Sequence, residues 1–145
     1  MLVTNHVVSG ALIGGVVRRP VPAFVLGVAS HFALDTVPHW GKWGSRRGFL
    51  RVAVPDGLAG LATIAAFAAI APPDRRPAVL AGMAGAALPD IDKPAKLWFG
   101  RSPFPRAVDE FHMAIQREEP GRAPNELAAA ALFTTAALIV LRKTR

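Results

Sequence analysis

The residues of this chain best suited to chemistry are histidines and aspartates near the ends of apolar segments. The chain has 4 histidines and no cysteine, so a bound metal must be held by imidazole and carboxylate groups. His31, Asp35 and His39 share one helical face if the helix continues past Pro38. These residues predict a divalent metal site, with zinc favoured and manganese or iron as alternatives. We expect its ligands to come from His6, His31, Asp35, His39, Asp56, Asp90, Asp92 and His112.

The segments that carry these residues predict a helical membrane protein. Hydrophobic residues make up 52% of the 145 residues before the 13 glycines are counted, whereas soluble domains average ~45–50% with glycine included. Gly and Ala are abundant in these segments, which allows helices to approach closely in lipid. We predict one all-α domain, residues 1–145, forming an integral membrane bundle of short helices over residues 6–17, 21–37, 52–71, 78–91 and 127–141.

Only residues 52–71 reach the ~20 residues that cross a bilayer unaided, so the other helices must be tilted, extended by flanking residues or buried. Residues 93–126 are expected to form a long loop. If each helix crosses once, the candidate ligands converge on one face, with His31 one turn deeper. Ionisable groups at that depth cost ~2.5–3.5 kcal/mol for Asp unless they are partnered. A metal would partner His31, Asp35 and Asp56.

The net charge of +7 favours an anionic partner. Because the basic residues lie between apolar runs, we expect membrane lipids and not nucleic acid. The first six residues lack the basic start of a signal peptide. The expected location is therefore the inner, cytoplasmic membrane as a multi-pass protein, with the site towards the cytoplasm. Short Gly-rich helices are also compatible with a homodimer.

Three short motifs contain most of these candidate ligands. Residues 5–10 read Asn-His-Val-Val-Ser-Gly, residues 30–35 Ser-His-Phe-Ala-Leu-Asp and residues 88–92 Leu-Pro-Asp-Ile-Asp. They resemble motifs of the bacterial YdjM-like membrane-bound metal-dependent hydrolases. The resemblance implies that His6, Asp90 and Asp92 bind metal. It also implies a distant similarity to zinc-dependent phospholipase C, in which His31 and Asp35 would form a ligand pair.

The chain departs from the family pattern at two places. Asn5 replaces the residue that usually precedes the first histidine, and the histidine motifs expected after residue 92 are absent. Residues 111–116, with His112, are the candidate replacement.

A hydrolase with such a site would attack its substrate with metal-activated water, and a nearby carboxylate would act as base. Asp92 and Asp56 are the candidates for this base, with Glu110 a more distant one. Basic residues of the 93–126 segment suit phosphate oxygens or, equally, anionic headgroups. The expected substrate is an amphiphile with a phosphoester in a lipid or lipid-linked headgroup, although esters and amides would suit the same machinery. The candidate phosphate ligands are Lys93, Lys96, Arg101 and Arg117.

Two alternatives to a hydrolase remain open. The same residues could bind or pass a metal ion without catalysis, in a site that leaves no coordination position for substrate. The chain could also be a structural membrane subunit whose polar residues pair with one another or with a partner chain, and this alternative predicts no metal.

Overall fold

The computed structural model describes residues 1–142, and it confirms the mostly helical, all-α prediction for them. Two strands of two residues each add a parallel pair that the sequence did not predict, with His39 opposite Glu118. The elements are α1 (Val3–Val17), α2 (Pro20–Asp35), β1 (His39–Trp40), α3 (Arg46–Ile70), α4 (Arg76–Ala87), a 3₁₀ turn (Leu88–Ile91), α5 (Asp92–Phe99), α6 (Arg106–Ile115), β2 (Glu118–Glu119) and α7 (Ala123–Arg142).

The predicted helix boundaries differ from the structure most clearly at three places. Helix α3 begins at Arg46, where Ser45 Oγ accepts a hydrogen bond from Gly48 N at 3.0 Å and caps the helix. Helix α2 ends at Asp35, because Pro38 disfavours helical backbone just before it. The predicted loop over 93–126 contains α5, α6, β2 and the start of α7. This segment is rich in charged residues, and the apolar faces of its two short helices are narrow. Its sequence pattern therefore does not indicate these helices.

Helix α4 packs directly against the backbones of α1 and α2. A Cβ on Gly10 would lie closer than 3.0 Å to the backbone of Gly82, and a Cβ on Gly27 would meet the Gly82 carbonyl at a similarly short distance. Such contacts exclude any side chain larger than hydrogen. This packing brings the end of α4, and the 3₁₀ turn that follows it, beside the first turn of α1 and the last turn of α2.

The first turn of α1 is held by a carboxylate from another helix. Asp56 on α3 accepts hydrogen bonds from Val3 N at 2.7 Å, Thr4 N at 3.2 Å and Thr4 Oγ1 at 2.7 Å. A helix N-terminus has unpaired N–H groups and a positive dipole end, so a carboxylate is a favourable partner there. Because His6 lies in the next turn, this contact also fixes the position of His6.

Two helices of the described chain, α3 and α7, are long and apolar enough to cross a membrane. Their inner faces join the apolar core, where Phe67 from α3 and Leu141 from α7 belong to the same buried cluster as Val79 and Met83 of α4. Their outer faces expose large apolar side chains, among them Leu61 at 65% and Leu132 at 65% exposure. Large exposed apolar faces are typical of surfaces that contact lipid or another protein.

We expect Gly82→Ala to destabilise the fold by ~1–3 kcal/mol, because the added methyl group overpacks the contact between α1 and α4. Gly57→Ala is the matched control, since a Cβ at Gly57 meets nothing within 4 Å. Thermal unfolding in detergent measures both variants. Equal melting temperatures for the two variants would contradict the close approach of α4 to α1.

We expect Asp56→Ala to reduce stability by ~1 kcal/mol, the usual effect of losing a helix N-cap. Asp74→Ala is the control, because the Asp74 side chain is 77% exposed. Denaturant-induced unfolding compares the two variants. An Asp56→Ala protein as stable as wild type would show that this carboxylate does not hold α1.

Candidate metal centre

Six side chains converge where the ends of α1, α2, α4 and α6 meet. Their ligand atoms form three overlapping groups, each with all atoms within 4.8 Å of one another. The first group is His6, His31 and Asp90, the second His31, Asp35 and His112, and the third Asp90, Asp92 and His112. We refer to these six residues as the His/Asp cluster.

The tightest part of the cluster is a triangle of two imidazoles and one carboxylate. His31 Nε2 lies 3.0 Å from His112 Nε2, and Asp35 Oδ2 lies 3.2 Å from the former and 3.0 Å from the latter. Nitrogen and oxygen ligands at ~2.0–2.1 Å from a tetrahedral zinc ion lie about 3.3 Å apart. The triangle therefore has nearly the dimensions of one face of a metal coordination shell.

The backbone of α4 sets the orientation of His31. His31 Nδ1 lies 2.7 Å from the carbonyl oxygen of Ala86, and a carbonyl can only accept. The Nδ1 proton is therefore donated to Ala86, and in the neutral ring the Nε2 lone pair points into the cluster. Metal-binding histidines are commonly fixed in this way by a hydrogen bond from the other ring nitrogen.

His6 is fully buried yet has no hydrogen-bond partner for either ring nitrogen among residues 1–142. Its ring stacks on His31 with centroids 3.8 Å apart, and its Nε2 lies 3.2 Å from Asp35 Oδ1. That oxygen also accepts from the amino group of Met1 at 2.5 Å. Asp92 Oδ1 is likewise buried without a partner in the described chain. Unsatisfied buried polar atoms are costly, and a cation between these groups would satisfy them.

Two lysines neutralise part of the cluster's negative charge. Lys93 Nζ donates to Asp90 Oδ1 at 2.6 Å, and Lys96 Nζ donates to Asp92 Oδ2 at 2.8 Å. Burial alone would raise the pKa of Asp90, but Lys93, with smaller contributions from His6 and His31, lowers that pKa to about 2. Asp90 is therefore ionised at neutral pH, as a metal ligand must be.

The other predicted phosphate ligands lie apart from these lysine pairs. Lys93 and Lys96 face carboxylates of the cluster, whereas the Arg101 and Arg117 side chains are exposed. Arg117 lines a cavity beside the cluster.

Two of the predicted ligands lie outside these groups. His39 is on β1, where its Nδ1 lies 2.8 Å from Val37 O and its backbone N–H donates to Arg117 O at 3.0 Å. It leaves the face shared by His31 and Asp35 because α2 ends before Pro38. The Asp56 carboxylate accepts hydrogen bonds from the backbone N–H groups at the start of α1. The structure thus brings together six of the eight candidate ligands.

Two residues of the site region were missed in the sequence. Gln116 Nε2 lies 3.0 Å from His112 Nε2 and 3.4 Å from Asp35 Oδ2. Its spacing of four residues from His112 is the available signal, but the sequence predicts a loop over this segment. Glu126 is buried and accepts from Asn5 Nδ2 at 2.6 Å and Trp40 N at 3.2 Å, which ties α7 to α1 and β1. Nothing in its local sequence indicates this role.

Imidazole and carboxylate ligands in this number suit one or two zinc, manganese or iron ions. Because the cluster combines three histidines with three aspartates and no thiolate, the donor set fits such ions. Comparisons of the chain with protein-family models, with characterised proteins and with solved structures found no match.

Proposed function

We propose that this chain is a membrane-embedded hydrolase that binds a divalent metal, preferably zinc, in the His/Asp cluster. Its proposed substrate is a phosphoester in a lipid or lipid-linked headgroup. The observation that carries the proposal is the triangle of His31, Asp35 and His112, beside the buried His6, whose ring nitrogens have no hydrogen-bond partner in the described chain. Mutual hydrogen bonding leaves these groups incompletely satisfied, and a cation would complete their coordination.

The resemblance to YdjM-like hydrolases supports the same site. Its three motifs contribute His6, His31, Asp35, Asp90 and Asp92, which are distant in sequence but share one cluster in the fold. The sixth residue, His112, comes from the segment proposed to replace the missing histidine motifs. This convergence supports a common site for the three motifs.

In this proposal each side chain of the cluster has a distinct task. A bound metal would supply a water molecule of lowered pKa and would polarise the phosphoryl oxygen. Asp35 and the three imidazoles would hold the ion, and Lys93 keeps the neighbouring Asp90 ionised. Asp92 Oδ1 accepts no hydrogen bond within the described chain, so it is the carboxylate oxygen of the cluster that is free to accept a proton from the attacking water. Asp56 is not assigned as the base, because the first turn of α1 engages its carboxylate.

The membrane location is supported by the outer surface near the site. Helix α3 starts with Arg46, Arg47 and Arg51, and the rings of Trp40 and Trp43 pack edge to face with centroids 4.6 Å apart just before it. Tryptophan and arginine concentrate where a bilayer meets water. We therefore propose a multi-pass protein of the inner membrane with the His/Asp cluster at headgroup depth, facing the cytoplasm.

A second candidate function is metal binding or transfer without hydrolysis. It is favoured by the complete burial of His6, His31 and Asp35, each 0% exposed. A closed site holds its ion firmly but leaves no open position for substrate. The two functions share the metal and differ in turnover.

We expect the purified protein in detergent to contain near-stoichiometric zinc, manganese or iron, and His31→Ala and Asp35→Ala to lose it. His39→Ala is the matched control, because this histidine is also buried but lies outside the cluster. Elemental analysis by mass spectrometry measures the metal. Wild-type protein that stays metal-free after reloading would exclude both metal-dependent functions.

We expect Asp92→Asn to lower kcat for phospholipid hydrolysis by ~10²–10⁴-fold, the usual contribution of a general base. Metal content should fall much less than in His31→Ala, because Asp92 is assigned as the base and His31 as a metal ligand. Phosphate or phosphomonoester release from mixed micelles gives the rate, with the exposed Asp74→Asn as the carboxylate control. Metal-loaded wild type that hydrolyses no phosphoester in a broad lipid panel would favour the non-catalytic function.

A further inference from the structure

A cavity of about 630 Å³ opens beside the His/Asp cluster. Its wall is formed by the end of α6, by β2 and by the turn after β1. The residues that give it chemical character are Lys42, Met113, Gln116, Arg117, Glu118 and Glu119. It therefore combines two cations, two carboxylates and one exposed apolar side chain.

Gln116 joins this cavity to the cluster. Its side chain lines the cavity, while its Nε2 lies 3.0 Å from His112 Nε2 and 3.4 Å from Asp35 Oδ2. The next residue, Arg117, donates its backbone N–H to Asp35 O at 3.1 Å. A molecule in the cavity would therefore lie one side chain away from the proposed metal ligands.

The charges of the cavity are not all neutralised within the protein. In the part of the chain that the structure describes, the side chains of Lys42 and Arg117 form no ion pair, whereas Glu119 pairs with Arg122 Nε at 2.5 Å. Glu118 packs on Gly41, and its Oε2 accepts only a long hydrogen bond from Lys42 N at 3.3 Å. Two cationic groups and one carboxylate, that of Glu118, thus remain able to bind a ligand.

We propose that this cavity binds a zwitterionic phosphoester headgroup, with its phosphate on Lys42 and Arg117 and its ammonium group on Glu118. Guanidinium and ammonium groups suit phosphate oxygens. Met113, 64% exposed at the rim, contacts the apolar part of the ligand. The proposal specifies the substrate class of the proposed hydrolase, and its relevance to catalysis rests on that proposed function. Ligand binding itself is measurable without turnover.

Calorimetric titration of the metal-loaded protein in detergent tests the assignment, with phosphoethanolamine and glycerol phosphate as probes. Wild type should bind phosphoethanolamine more tightly than glycerol phosphate. Arg117→Ala should weaken both by at least ~10-fold, the equivalent of 1.4 kcal/mol. Glu118→Gln should weaken only phosphoethanolamine and thereby remove the discrimination. Arg19→Ala, which changes an exposed arginine outside the cavity, should alter neither affinity.

Equal binding of the two probes to wild type, or unchanged binding to Arg117→Ala, would overturn the assignment. Metal content measured on the same samples distinguishes failure of the cavity assignment from failure of the proposed hydrolase function. Metal-loaded protein without phosphoethanolamine binding contradicts the cavity alone, whereas binding to protein that cannot be loaded contradicts only the hydrolase.

Competition with bicelles identifies the source of the headgroup. Displacement of phosphoethanolamine by phosphatidylethanolamine, and not by phosphatidylglycerol, supports a lipid in the cavity. Absence of displacement by either lipid, together with binding of the soluble probe, supports the same cavity with a soluble phosphoester as its ligand. Equal displacement by both lipids would overturn the zwitterion preference.

Discussion

The close approach of α4 to α1 and α2 is the constraint on which the rest of this structure depends. Gly10, Gly27 and Gly82 allow helix backbones to touch, so the turn after α4 reaches the first turn of α1 and the last turn of α2. The same contact places the Ala86 carbonyl against His31 and so selects its tautomer. Small residues far along the helices thus determine the geometry of a site to which they contribute no side chain.

The second organising feature is the concentration of buried charge at one end of the bundle. Three aspartates of the cluster are buried together, where Asp90 and Asp92 are paired with lysines and Asp35 with the amino group of Met1. Carboxylates at this depth are stable only with cationic partners. Asp56 and Glu126 show the structural use of the same chemistry, since each holds the start of α1 through hydrogen bonds. A carboxylate near this end is therefore not by itself evidence of a metal ligand.

Much of the site could be predicted from the sequence because its signals are local. The four-residue spacing of His31 and Asp35 and the Asp90-Ile91-Asp92 turn retain their geometry in any helical context. The position of His39 depends on where α2 ends, and the role of Asp56 depends on the start of α1 lying beside it. The residues around His39 and Asp56 do not indicate either feature. Helix α6 was interpreted as loop because its exposed charges mask a short apolar face. His112 was identified by residue type, while its neighbour Gln116 was not.

X-ray absorption spectroscopy of the purified protein tests the central claim, that the His/Asp cluster is a metal centre, most directly. The structure predicts a shell of nitrogen and oxygen ligands at ~2.0–2.2 Å, with the outer-shell scattering of at least two imidazoles, and no sulfur. That imidazole signal should weaken in a His112→Ala protein. A shell containing only oxygen, or a spectrum unchanged in His112→Ala, would show that any bound metal lies elsewhere and would contradict the account.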